Sequence, residues 1–213
     1  MPTWGDLLAD LREDLQDTSP TNPAYTSKML WLYARDAVKD YSQFFPLRVD
    51  ALEIAGVDER YALPADFIDE IFVECPRGTF LEPRVITPGI KKVAGTTVYR
   101  YEIIGGGIYL DAATDESIWL TYSAYHTFPT SETASTTVIS VPLGDIELIH
   151  LYVRARITTQ VRARTANLDR YKEDGRRDDN PMAKEYNNLM GEYHRKIMDR
   201  ERPTAIHLRS VRG

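Results

Sequence analysis

The period of the hydrophobic pattern changes twice along this chain, and that limits the folds open to it. Trp4, Leu7, Leu8, Leu11 and Leu15 recur at helical spacing among charged residues, and Thr3 with Asp6 has the form of a capping pair. Residues 4–16 therefore read as an amphipathic helix, broken by Thr18 to Pro23. A second helix is expected from Thr26 or Ser27, with Leu30, Tyr33, Ala34, Ala37, Val38 and Tyr41 as its buried stripe and Pro46 as its stop. From Leu47 the period falls to two. Val49, Ala51, Glu53 and Ala55 alternate with Asp50, Leu52 and Ile54, and further strands are expected at 69–75, 97–104, 107–110 and 117–125. Gly105-Gly106-Gly107 joins two of these as a hairpin turn. Residues 130–137, rich in Ser and Thr, read as a flexible loop.

After Pro142 the helical period returns. Ile146, Ile149, Val153, Ile157 and Val161 mark a long helix, and Leu148, Leu151, Tyr152 and Ala155 make its first half apolar nearly all round, as in a central helix packed on several sides. Residues 172–179 form a charged linker. Asn180-Pro181 then opens a last helix with Tyr186, Leu189, Met190, Tyr193 and Ile197 along one stripe up to Pro203. The expected fold is α+β: a helical bundle built from residues 4–45 and 142–202, with an antiparallel β module inserted at 47–127. Residues 1–202 are expected as a single domain, followed by a tail at 203–213 without a helix signal.

Charge follows the same division. The net charge is −3 over residues 1–50, −9 over 51–150 and +6 over 151–213. A solitary enzyme has no need of such polarity, whereas subunits stacked side by side, or on an acidic neighbour, gain orientation from it. Thirteen tyrosines stand against six phenylalanines; half-wet subunit contacts and exposed strand positions both favour this residue. The overall pI near 5.3 argues against a general nucleic-acid binder, although the basic end leaves a local version open. No apolar run approaches the 18 or so residues of a membrane span, and the acidic residues among Met1 to Leu15 do not fit a secretory signal.

Sites of chemistry are not evident. His126, His150, His194 and His207 lie apart, without metal-ligand spacing, and the lone Cys75 precludes an internal disulfide framework. The glycine turn lacks the following helix and the Lys-Ser/Thr pair of a phosphate loop. Asp66, Asp69 and Glu70 are the remaining carboxylate cluster, readable as a hydrolytic cleft or as a solvated turn and strand entry. No catalytic, cofactor or metal site is expected. Arg154, Arg156, Arg162 and Arg164 are expected to make inter-subunit ion pairs to the acidic β region of a neighbour, with phosphate contact as the rival and a plain solvated face as the remaining reading. At about 100° per residue, Arg154 and Arg162 project away from Arg156 and Arg164.

The run Tyr61-Ala62-Leu63-Pro64-Ala65-Asp66-Phe67, preceded by a strand after Phe45-Pro46-Leu47-Arg48, carries a resemblance. So does the later order of Tyr101-Glu102-Ile103-Ile104, the glycine turn, Ile108-Tyr109-Leu110, Ile118-Trp119-Leu120-Thr121-Tyr122 and the long helix. In this layout the chain resembles the head-to-tail connector (adaptor) proteins of tailed bacteriophages, of the tail-tubular-protein-A-like type. The resemblance spans most of residues 1–170. It implies a non-enzymatic virion protein, made in the cytoplasm of a bacterial host, that forms a homo-oligomeric ring, commonly a dodecamer, under the portal protein. A tail, nozzle or neck protein would follow it, and double-stranded DNA would pass through its channel during genome ejection without sequence-specific binding.

The resemblance also makes residues 203–213 the portal-docking tail. Ile206, Leu208 and Val211 would bury apolar surface there, with Arg209 and Arg212 making ion pairs. Since each phosphate held by Lys or Arg adds salt-dependent affinity, a conduit is expected to carry more acidic than basic residues on its wall. The alternative is a nucleic-acid-binding β module with a basic helical arm.

Overall fold

The computed structural model describes residues 1–19, 21, 23–55, 60–83, 100–111, 116–164 and 181–201; for 160–164, 181–183 and 201 it describes the helical backbone alone. The chain is α+β, and its contacts divide it into two compact units. One takes in Met1–Phe44 and the described residues from His126 onward, and the other is Phe45–Tyr125.

Among the described residues the first unit holds four helices: α1 (Trp4–Asp14), α2 (Ser27–Phe44), α3 (Ile146–Arg164, entered through a 3₁₀ turn at Leu143–Asp145) and α4 (Pro181–Glu201). The capping pair forms as expected: Thr3 Oγ1 accepts from Asp6 N at 3.2 Å, and Asp6 Oδ2 accepts from Thr3 N at 3.0 Å. The Thr3 hydroxyl, which donates to Asp6 Oδ2 at 2.7 Å, and then Thr3 N hold the Asp6 carboxyl below its usual range. Trp4, Leu7 and Leu11 are buried, as are Leu30, Ala34, Ala37, Val38 and Tyr41 along α2. Helix α3 packs against both α2 and α4, so its broad apolar surface is covered from more than one side.

Residues 130–137 differ from the expected loose loop. Their carbonyls receive the open N–H groups at the start of α1: Trp4 N donates to Thr137 O at 2.9 Å and Gly5 N to Ser135 O at 2.8 Å. A β-carbon on Gly5 would lie 3.1 Å from that same Ser135 oxygen, so glycine permits the approach. Phe128 is seated between Trp4 and Trp31, with ring centroids 5.6 and 6.3 Å away, and the two indole N–H groups donate to Glu132 O and Pro129 O.

Asp17 organises the connection from α1 to α2. It is buried, and it accepts from Arg12 Nη1 at 2.8 Å, Ala24 N at 2.6 Å and Tyr25 N at 3.1 Å. Arg12 continues to Tyr25 O and Ser27 Oγ. One ion pair thus satisfies a reversal of the chain that has little apolar surface of its own.

Among the described residues the second unit forms two small sheets. Strands β1 (Leu47–Ile54), β7 (Ile118–Ala124) and β3 (Phe67–Glu74) form the first, in the order β1-β7-β3 and antiparallel throughout. Strands β2 (Arg60–Ala62), β6 (Gly107–Leu110), β5 (Arg100–Ile104) and β4 (Glu82–Pro83) form the second, in the order β2-β6-β5-β4. Inward residues of both sheets, among them Val73, Leu120, Tyr122, Tyr101, Ile108 and Leu110, join in one buried cluster. The expected antiparallel module needs one correction. Glu82–Pro83 pairs parallel to β5, a contact of two residues whose sequence offers no strand period to read. The glycine turn behaves as expected, with Gly105 and Gly106 both at positive φ between β5 and β6.

A bulge interrupts β1 between Val49 and Leu52. Ala51 adopts φ +49°, and its N–H donates 3.0 Å to the buried Thr121 Oγ1 of β7, so a central-strand hydroxyl replaces a lost ladder bond.

Replacing Asp17 with Ala would leave Arg12 and two backbone N–H groups without their acceptor. The expected cost is about 3 kcal/mol, read as a lower midpoint of helix loss in urea. Asp17→Asn should cost less, because it keeps one acceptor oxygen, and equal loss in both variants would contradict the account based on accepted hydrogen bonds.

Candidate interaction surfaces

Of the four arginines, the two with described side chains, Arg154 and Arg156, do not share one site. Arg154 and Arg156 are both exposed on α3 but meet different surroundings. Arg154 borders a cavity of about 270 Å³ together with Asp14, Tyr25, Ile157, Thr158 and Glu185. The guanidinium of Arg156 lies 5.9 Å from the centre of the Tyr33 ring. Arg162 and Arg164 fall within α3, and their side chains lie outside the described residues, as do Ile206, Leu208, Arg209, Val211 and Arg212 of the tail.

Much of the basic charge on α4 is used within its own unit. Lys196 pairs with Glu147 and, at 3.5 Å, with Glu192; Arg200 pairs with Asp145 and donates to Gly144 O at 2.6 Å. The contact with Glu147, which is the main cause, raises the pKa of Lys196. Two tyrosines reinforce this region. Tyr193 donates to Asp40 at 2.7 Å and Tyr41 to Asp145 at 2.5 Å, and burial foremost pushes both phenols above their ordinary range. Spacing along the sequence does not point to these aspartate partners; the tyrosine excess is the available signal, and subunit contacts and strand surfaces account for it as well.

The histidines are dispersed. His126 Nδ1 lies 2.9 Å from Ser140 Oγ, and His150 Nδ1 lies 2.5 Å from Asp14 Oδ2 with its Nε2 buried and unpartnered. His194 packs edge-on to Tyr193, and His207 falls outside the described residues. Among the described residues no three His, Cys, Asp or Glu side chains converge on a point that would hold a metal ion, and no helix is long and apolar enough to cross a membrane.

In the β unit, Cys75 is buried. The carboxylates at 66–70 turn toward tyrosines. Asp66 accepts from Tyr122 OH at 3.0 Å, and its carbonyl receives Tyr125 N at 2.8 Å. Burial and this aspartate push the Tyr122 phenol up to about 12. Tyr101 is likewise raised to about 12, by burial first and then by Glu70 and Asp69. Glu70 stands opposite Tyr122 in the inward-facing row, and burial, followed by its neighbour Asp69, raises its own carboxyl pKa.

The outer face of the β1-β7-β3 sheet has a different character. Along β7, Ile118, Leu120, Tyr122 and Ala124 are buried, which turns Trp119 outward between Glu53 of β1 and Glu74 of β3. Beyond β3 the chain reverses over residues 76–79, with Thr79 N donating to Pro76 O and Gly78 at φ +90°. Phe80 then bridges Glu74 and meets Phe72 edge to face, the ring centres 5.1 Å apart. The reversal also brings the Arg77 guanidinium 4.4 Å above the Trp119 ring. Phe80 remains 63% exposed. The strand is legible in the sequence but this face is not, because irregularities between Phe67 and Asp69 and between Glu70 and Phe72 shift the register on which a face assignment depends.

No known family model matches the chain, and no curated protein matches its sequence.

The raised Glu70 pKa has a definite sign. The folded chain holds that proton more tightly than the unfolded chain, so this group's contribution to stability is full below its ordinary value of 4.5 and is lost as pH rises through the folded value. Glu70→Gln should therefore raise the melting temperature at pH 7, and the gain should fade near pH 4. An equal offset at both pH values in paired thermal melts would rule out this origin.

Proposed function

We propose that the chain is a structural adaptor of a tailed-bacteriophage virion. In this reading, copies form a ring, commonly of twelve, between the portal and the tail or neck, and DNA passes through the centre. The observation that carries it is the division of labour along the chain. Both ends contribute to one helical unit, and the intervening acidic segment forms a β unit of its own. This is the layout that the connector resemblance implies, and it gives each copy two chemically different surfaces for different partners. The protein's work is then assembly, and the carboxylates at 66–70 serve the β unit's internal bonding.

The acidic β unit also bears on DNA. Residues 45–125 hold 13 acidic and 7 basic side chains, a balance that repels phosphate and suits a conduit more than a binding module. The alternative nucleic-acid-binding reading would instead require salt-sensitive DNA binding by single copies.

Mixing the purified chain with portal rings should yield stacked rings in negative-stain images and a matching rise in mass. A variant lacking residues 204–213 should keep its far-UV circular dichroism yet lose docking. Undiminished docking would dismiss the role of the tail, and absence of rings with the full chain would overturn the reading itself.

A further inference from the structure

The outer face of the β1-β7-β3 sheet carries Phe72, Phe80 and Trp119 with Arg77 stacked on the indole. Trp and Arg beside exposed Phe, held by fixed ring contacts, is the composition that concentrates binding energy at protein interfaces. Leaving Phe80 largely in water gives up burial that folding would otherwise gain. Its edge contact with Phe72 and the Arg77–Trp119 stack hold the surface in shape before any partner arrives. Glu53 and Glu74 flank it, so the face selects a partner that is apolar at its centre and cationic at its edge.

Helix α4 presents such a surface. Its Tyr193 and Ile197 are buried, while Lys184, Asn188, Gly191, Arg195 and Met198 are all exposed. These five positions alternate by four and three and so form one stripe along the helix. Met198 is 55% exposed, a flexible thioether of the kind that packs on aromatic rings. A β-carbon on Gly191 would meet nothing within 4 Å, so the helix backbone there is open to close approach. Among the described residues Arg195 has no ion-pair partner, in contrast to Lys196 and Arg200 beside it. The stripe carries two cations and no carboxylate.

We infer that the aromatic face of one copy receives the Gly191–Arg195–Met198 stripe of a second copy, Met198 meeting Phe80 and Arg195 meeting the Glu53–Glu74 rim. Two different patches then join identical chains, the heterologous contact from which rings or open filaments are built. The inference rests on the ring reading and specifies its subunit contact.

Disulfide formation between full-length Phe80→Cys and Met198→Cys chains, mixed in equal amounts, tests the contact. Phe80→Cys mixed with Leu143→Cys is the control, since Leu143 is also exposed. The 80–198 pair should cross-link at least about tenfold faster than the control, as expected of two groups held together by association, and Arg195→Glu in the Met198→Cys chain should remove most of that advantage. Equal rates for the two pairs, or indifference to Arg195→Glu, would overturn the inference. Rings that assemble on the portal with an unreactive 80–198 pair would refute this contact alone. Failure of both cross-linking and ring formation would also remove the reading on which it rests.

Discussion

A phenol that is buried apart from its hydroxyl must find an acceptor, and for Tyr41, Tyr122 and Tyr193 the acceptor is a distant aspartate. Tyr193 reaches Asp40 across 153 positions of sequence, Tyr41 reaches Asp145 across 104, and Tyr122 reaches Asp66 across 56. Each bond serves two purposes: the ring contributes apolar contact, and the hydroxyl accepts only a geometry in which the carboxylate is within reach. In the helical unit these bonds couple α2 to the start of α3 and to α4. In the β unit they tie the entry of β3 to the central strand β7. Replacement of any of these tyrosines by a purely apolar residue would keep much of the contact area but leave the pairing unspecified.

The helical ends were legible because their signal is local and repeated. Leu7 and Leu11, or Leu30, Ala34, Ala37 and Val38, return to one face of a helix, and all of them are buried. The β region was legible in outline for the same reason, and the paired glycines fixed its hairpin. What escaped depends on contacts that spacing does not encode. The segment at 130–137 reads as loose until the N–H groups of α1 are seen to need its carbonyls. The parallel Glu82–Pro83 pairing is too short to have a period. The aromatic outer face is hidden by bulges, which break the alternation from which a face would be assigned.

Charge was the feature most easily over-read. The basic excess after residue 150 looked like a surface property, yet Lys196 and Arg200 meet Glu147 and Asp145 at the beginning of α3. Arg156 leans on Tyr33. A net charge counts side chains without saying which are already neutralised, so among the described residues the cations left for a partner are fewer than the totals imply. Arg195, on the stripe that also holds Met198, belongs to that smaller set.

The clasp on α1 also bears on how the chain is made. Trp4 donates to a carbonyl 128 positions later, and Gly5 and Phe128 take part in the same junction. During vectorial synthesis the β unit emerges whole before that junction can close, so the two units mature in the order of their completion, with the inserted one first. The leading helices meanwhile wait with Trp4 uncovered, since the segment that covers it is made after them and after the β unit.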